Sequence, residues 1–268
     1  MAEQAGADVR VAVLGLGEAG ASIAADLATL GAVVVGWDPD ATRHAHDVEL
    51  AGSLGAAVEH AEIVLSINSG AAAVDAARDS ATALDEGKLY ADLNTASRSV
   101  KENVAEIVEA CGAAFADVAL LAPVPRRGIR TPSLASGSGA EEFARRFGPL
   151  GMPVEVVGAE PGAAAERKLI RSVFMKGLAA AIGESLAAAD AAGCEEWLRH
   201  EIERTLAGAD ASLVERVVTG SRRHAVRRTE EMEAATELLR ELGVEPRISQ
   251  ASAGWLSGLA RDHERTRT

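Results

Sequence analysis

Cysteine, aromatic residues and positive charge are scarce in this chain, and each shortage closes off a class of function. There are 2 cysteines, Cys111 and Cys194, with no zinc-ligand spacing and no disulfide framework between them, which points to a reducing cytoplasm. Aromatics make up 3% of the residues, so Trp37, Trp197 and Trp255 read as packing residues and not as a stacking platform. Lysine and arginine number 27 against 40 aspartates and glutamates, a formal charge of −13. A surface that acidic repels nucleic-acid phosphate and anionic lipid, so no nucleic-acid and no membrane partner is expected. The opening residues, Met1 to Arg10, lack the apolar core of a secretory signal. The most apolar stretch, Val11 to Trp37, is broken by Glu18 and Asp26 and is not a membrane span. No histidine or carboxylate constellation suggests a metal, no G-x-S-x-G elbow suggests a hydrolase, and His60 and His200 read as surface residues.

What is present is enough for a sizeable core: 268 residues, of which 48% are apolar. Short β-rich runs alternate with alanine-rich helical stretches through the first half. Strands are expected at Val9–Leu14, Ala32–Trp37, Glu62–Ile67, Leu89–Leu93, Ala114–Leu121 and Pro153–Val157, and the first helix at Glu18–Leu30. That alternation implies an α/β fold, a doubly wound parallel sheet with helices on both faces. After Gly162 no strand is expected. Helices should cover Ala163–Ala192, interrupted at Gly177 and Gly183, then Glu195–Leu206, Ser212–Gly220, Arg222–Leu242 and Ser249–Arg261, with Gly193, Gly208, Gly220 and Gly243 as punctuation and a frayed tail from Asp262 to Thr268. The expected division is a dinucleotide-binding α/β domain over residues 1–160 and an all-α substrate and dimerisation domain over 161–268.

Gly15-Leu16-Gly17-Glu18-Ala19-Gly20 matches G-x-G-x-x-G directly between a strand and a helix. Gly15 permits the tight turn, Gly17 leaves room for a pyrophosphate, and Gly20 lets the helix approach the sheet. The unpaired amides and positive end of the helix favour the anion. Asp38, 23 positions after Gly15 at the end of the second strand, can accept hydrogen bonds from a ribose diol and would repel a 2′-phosphate. This favours NAD. Arg43 nearby could serve a phosphate, so NADP stays open.

Other segments line up with that fingerprint. They are Asn68-Ser69 after the strand ending at Ile67, Asp92-Leu93-Asn94-Thr95, Asp117 to Gly128 with its Pro123-Val124-Pro125, and Gly162 to Lys168 with the run on to Gly177. With Arg227-Arg228-Thr229-Glu230-Glu231-Met232 they make nearly the whole chain resemble the β-hydroxyacid dehydrogenase superfamily, which includes 3-hydroxyisobutyrate and 6-phosphogluconate dehydrogenases. The likeness is greatest to the branch of 6-phosphogluconate-dehydrogenase-like NAD-binding proteins with a distinctive C-terminal domain. The resemblance implies a Rossmann domain, a long interdomain helix and a dimer-forming helical domain. It implies Asn68 beside the nicotinamide, Thr95 on the nicotinamide ribose with Asn94 in place of the usual Ser, and Lys168 as the catalytic lysine. Ser172 stands where the family often has Asn. The family's Ser-Gly-Gly substrate loop is replaced by Pro125-Arg126-Arg127-Gly128, where Arg126 or Arg127 could clamp a carboxylate.

Lys168, Ser172 and Lys176 are spaced four apart, on one side of the expected helix, with Arg171 adjacent. Hydride transfer to or from an alcohol needs a group that carries the hydroxyl proton. Lys168 is read as that group and Ser172 as its orienter, while Arg171 and Lys176 bind an acidic substrate group or tune the field. Lysines at helical spacing are otherwise solvated surface charges. Arg222 to Arg228 reads as a basic cluster paired with acidic helices, or as an anion pocket completed by Arg227 or His224. The expected function is a cytoplasmic NAD(P)-dependent oxidoreductase, a homodimer acting on a small anionic hydroxyacid or its keto or semialdehyde form. An imine reductase on the same scaffold and a non-catalytic dinucleotide-binding protein are the alternatives.

Overall fold

The computed structural model describes residues 9–265. One compact unit runs to Arg171 and a second from Ser172. The first is built on a sheet of eight strands: β1 (Arg10–Leu14), β2 (Val33–Trp37), β3 (Glu49–Leu50), β4 (Ile63–Ser66), β5 (Leu89–Asp92), β6 (Ala114–Leu120), β7 (Ser133–Ser136) and β8 (Val154–Val156). Their spatial order is β3-β2-β1-β4-β5-β6-β7-β8, and every neighbouring pair is parallel except β6 with β7. Side chains alternate across the sheet with period two. Val11 and Val13 of β1 enter one core layer, and Ala12 and Leu14 enter the other. Helices α1 (Glu18–Thr29) and α5 (Ala140–Phe147) cover the first layer through Ile23, Leu27, Phe143 and Phe147. Helices α2 (Leu54–Glu59), α3 (Ala73–Ser80) and α4 (Arg98–Ala110) cover the second through Val58, Ala77, Val104 and Val108. Burial on both faces is why the strands read as continuous apolar runs.

Strands β3 and β7 were not expected. β3 has 2 residues, too few for any pattern. β7 is Ser-Leu-Ala-Ser, without the β-branched content of its neighbours. It departs from the expected all-parallel sheet because the connection from β6 holds only short 3-10 turns, Val124–Arg126 and Gly128–Arg130. A parallel return needs a crossover, usually a helix, and without one the chain folds back antiparallel.

Helix α6 (Ala163–Ala191) continues through the division between the units, and the second unit adds α7 (Glu195–Ala207), α8 (Ser212–Arg223), α9 (Ala225–Glu241) and α10 (Arg247–Arg265). Gly177 and Gly183 do not interrupt α6 as expected. Each glycine costs a helix interior only about 1 kcal/mol, which 29 alanine-rich residues absorb. Gly220 likewise lies inside α8, which ends at Arg223. Gly193 and Gly243 do stand after helices in the left-handed region, at φ 72° and 74°. The expected frayed tail is helical to Arg265, and its residues 266–268, like residues 1–8 of the opening segment, lie outside the described residues. Trp37 is half-buried against the second core layer, whereas Trp197 and Trp255 are largely exposed and do not pack as expected. The Glu184 carboxylate of α6 accepts the amides of Ile248 and Ser249 at 2.6 and 2.8 Å, capping α10.

Candidate cofactor and catalytic site

In an open α/β sheet, ligands bind beyond the carboxyl ends of the strands, where the strand order reverses. Here that point lies between β1 and β4. The loops leaving β1, β4 and β5 carry Gly15 to Gly20, Asn68 and Asn94-Thr95.

The glycines differ in what they do. Gly15 has φ 102°, and a Cβ there would stand 2.4 Å from Ile67 O and 2.7 Å from Asn68 Oδ1. A Cβ on Gly20 would stand 1.8 Å from Gly15 O, so α1 sits on the turn itself. A Cβ on Gly17 would meet only Arg43 Nη1, at 3.3 Å. The turn is therefore open at Gly17, which is also the N-cap of α1 and offers its first-turn amides no side-chain acceptor. An open backbone cradle at a helix N-terminus fits a pyrophosphate. Leu16, Glu18 and Ala19 belong to the same turn and first helical turn. Asp38 is nearly buried. Its Oδ2 accepts the Leu16 amide at 2.7 Å, its Oδ1 accepts the Asp40 amide at 2.9 Å, and Arg43 Nη1 lies 3.6 Å from Oδ2. The acid thus pins the glycine turn to the end of β2, and Arg43 lies over both.

The next loops close on this turn. Asn68 Nδ2 and Asn94 Nδ2 both donate to Ser66 Oγ, at 3.1 and 3.0 Å. Asn94 also donates to Asp92 Oδ1 through its side chain (2.7 Å) and its backbone (2.9 Å). A Cβ on Gly70 would stand 2.4 Å from Thr95 O, so the Asn68 loop lies against the Thr95 backbone. Thr95 is exposed, and the half-buried Lys168 donates from Nζ to Thr95 Oγ1 at 2.8 Å. The fold therefore brings Gly15, Asn68, Thr95 and Lys168 into one contiguous cluster. Tyr90 on β5 is no rival proton carrier, because burial pushes its phenol well above the usual range.

Other expected residues have different neighbours. Arg171 Nη1 donates to Leu121 O at 3.2 Å, at the root of the loop after β6. Pro125, Arg126 and Arg127, with Asp26 and Thr29 of α1, line a cleft of about 390 Å3 that none of Asn68, Asn94, Thr95 and Lys168 touches. Ser172 and Lys176 belong to the second unit, half-buried and exposed respectively. Arg227 pairs with Glu231 on its own helix, and Arg228 donates to Ser221 Oγ at 2.8 Å. The sequence reading gave no role to Lys101 or Ser66. Lys101 carried a signal: it stands three, four and seven residues before Val104, Ala105 and Val108, on the apolar stripe of α4.

Comparison with known proteins agrees with this fold. The NAD binding domain of 6-phosphogluconate dehydrogenase matches residues 10–124, and a domain of unknown function (DUF1932) matches residues 189–259. The structure of a conserved hypothetical protein from Sinorhizobium meliloti 1021 is similar at 30% identity and TM-score 0.62, covering 93% of this chain and 87% of that one. A conserved protein of unknown function, described as structurally similar to 3-hydroxyacid dehydrogenases, matches at 27% identity and TM-score 0.61 over 94% of this chain and 96% of its own. A reductive aminase from Aspergillus terreus, solved with NADPH and ethyl levulinate, shares the fold at TM-score 0.79 and 19% identity, over 95% and 94% of the two chains. An uncharacterized 28.5 kDa protein of Methanothermus fervidus is 27% identical over 175 residues, 65% of this chain. The match spans 66% of that relative, just under two thirds of its length. By these matches the chain belongs to the β-hydroxyacid dehydrogenase superfamily.

Proposed function

We propose that the protein interconverts a small hydroxyacid and its keto or semialdehyde form, with Lys168 as the proton carrier and NAD preferred over NADP. The observation that carries this reading is the Lys168–Thr95 contact of 2.8 Å, beside the loops that build the glycine turn. A bound nicotinamide supplies or accepts the hydride. Gly17 and the first amides of α1 would hold its pyrophosphate, Asp38 its adenine ribose, and Asn68, Asn94 and Thr95 its reactive end. The Lys168 ammonium gives a proton to the carbonyl oxygen during reduction, and the amine takes it from the hydroxyl during oxidation. Ser172 orients the substrate oxygen. Arg126, Arg127, Arg171 and Lys176 draw an anionic substrate toward the site.

The test is a substrate panel of 3-hydroxyacids and cyclic imines with NADH and NADPH, run on wild type and Lys168→Ala. Hydroxyacid turnover that vanishes in Lys168→Ala, with NADH binding retained, supports the reading. Turnover of imines alone replaces the substrate class, and no turnover on either set favours a dinucleotide-binding protein without catalysis.

We also propose that the protein acts as a cytoplasmic homodimer. Helix α6 is long and apolar enough, by length and composition, to cross a membrane, yet it carries Lys168, Arg171, Lys176 and Glu184. Ile170, Val173 and Phe174 on it are 66%, 76% and 67% exposed, a run that a second copy would cover. Light scattering should give twice the chain mass, and Val173→Glu/Phe174→Glu should give the chain mass. A monomeric wild type would refute the dimer.

A further inference from the structure

One buried charged cluster takes no part in the roles above. Lys101 of α4 is fully buried, and so are the side chains of Asp92, at the end of β5, and Asp117, within β6. Its Nζ donates to Asp92 O at 2.8 Å and lies 3.1 Å from both Asp92 Oδ2 and Asp117 Oδ1. Two carboxylates around one ammonium leave a single surplus negative charge, and buried charge is tolerated only where it is compensated. The remaining oxygens show where the compensation lies. Asp117 Oδ2 accepts the Ala165 amide at 2.9 Å and the Ser136 hydroxyl at 3.3 Å, while Ser136 Oγ accepts the Ala164 amide at 3.0 Å. These amides open α6, where orphan N–H groups and the positive helix end call for a negative partner. On the other side Asp92 Oδ1 accepts both Asn94 donors and shapes the loop that presents Thr95. Lys168 follows Ala165 by three residues, within one helical turn. Both halves of the Lys168–Thr95 contact are thus tied to the same buried ammonium.

We propose that Lys101, Asp92 and Asp117 form a buried positioning clamp that holds the first turn of α6 against the Asn94–Thr95 loop and thereby sets the Lys168 amine on the Thr95 hydroxyl. The three residues act through the backbone and through Asn94, and none of them reaches substrate or cofactor. A triad that served only to fill the core would have no reason to satisfy the α6 amides with one carboxylate and the Thr95 loop with the other. The inference rests on Lys168 as the working amine, and it assigns the residues that aim it.

The chain suits a direct test, because it has four lysines, Lys88, Lys101, Lys168 and Lys176. Lys88 and Lys101 are buried, leaving Lys168 and Lys176 as the reactive side-chain amines. Trinitrobenzenesulfonate labelling of the full chain, resolved by peptide mass spectrometry, reads Lys168 with Lys176 as internal reference. Asp117→Asn keeps an acceptor oxygen and removes the charge. Lys101→Met/Asp92→Asn removes one charge of each sign. Ser136→Ala removes the acceptor for Ala164 and the 3.3 Å donor to Asp117 Oδ2, and is the mild variant that keeps all three charges of the triad. In Asp117→Asn the Lys168/Lys176 labelling ratio should rise about fivefold, the factor that about 1 kcal/mol at a helix terminus gives. The pH profile of Lys168 labelling should move while that of Lys176 does not. The double variant and Ser136→Ala should move the ratio in the same direction, the latter about twofold. Ratios unchanged in folded variants, including Ser136→Ala, would overturn the clamp even if every melting temperature fell. A Lys168→Ala protein that still turns over would instead overturn the acid–base reading and leave the labelling result standing.

Discussion

The glycines of the turn allow cofactor binding and folding to be separated by two single methyl groups. A methyl at Gly17 meets only the far end of the Arg43 side chain, at 3.3 Å, and that side chain is half exposed and can move. Gly17→Ala should therefore fold with a melting temperature about 2–4 °C below wild type, from the loss of about 1 kcal/mol that an alanine at this N-cap brings. The methyl nevertheless occupies the space assigned to the pyrophosphate. Displacing the phosphate from one charge-assisted amide contact costs about 1.5–3 kcal/mol, a factor of roughly 10–150 in affinity. At Gly20 the same methyl would stand 1.8 Å from a backbone oxygen, where real Cβ atoms keep at least 3.0 Å, so α1 must move away from the turn by more than an ångström. Overpacking against backbone costs about 3 kcal/mol or more, and about 6–12 °C in a chain of this size. NADH titration by calorimetry and thermal melts with and without NADH measure both quantities. Gly17→Ala should lose the NADH-induced stabilisation while its own melting point falls by only those few degrees, and Gly20→Ala should lose both. Undiminished NADH affinity in Gly17→Ala would refute the placement of the pyrophosphate.

Three further outcomes follow from the geometry. Lys88 Nζ donates to the carbonyls of Val58, Glu59 and Ala61 at 3.1, 2.8 and 3.1 Å, closing the C-terminal end of α2. Lys88→Met should lower stability by about 3 kcal/mol in chemical denaturation, and a loss below about 1 kcal/mol would mean that water replaces the ammonium. Burial pushes the Glu184 carboxyl up, but the Ile248 and Ser249 amides outweigh it and hold it below its ordinary value of 4.5. Its contribution to stability is therefore complete above pH 4.5 and is lost as pH falls through the depressed value, so Glu184→Gln should flatten the acid limb of a stability–pH curve. For the cofactor, wild type should bind NADH more tightly than NADPH. Asp38→Ala should narrow that gap and Arg43→Ala should weaken NADPH alone, and equal wild-type affinities by fluorescence titration would contradict the preference for NAD.

Much of the first unit was legible because its signals are local. A glycine that needs φ 102°, or one whose Cβ would stand 1.8 Å from a backbone oxygen, must stay glycine, so the turn shows in the residue string. Strands buried on both faces read as apolar runs, and β1, β2, β4, β5 and β6 lie within a residue or two of their expected spans. β7 was illegible because its direction depends on the absence of a crossover helix, not on its own four residues. Lys168 could be picked from its segment, but its partner could not, because Thr95 is 73 positions away and their meeting depends on where α6 starts.

The sequence by itself therefore determined the doubly wound sheet and the glycine turn, since these follow from backbone freedom and side-chain period over a few residues, and it pointed to the family through the resemblance of its segments. Only the tertiary structure decided that Lys101, on the apolar stripe of α4, would join Asp92 and Asp117 from two different strands, with Asp117 holding the start of α6. Tertiary structure also decided that the Arg126–Arg127 loop would lie along α1. The physical reason is the same in both cases. A buried charge is defined by partners that only the closed fold can deliver, and an exposed arginine takes its place from whatever surface the loop beneath it covers.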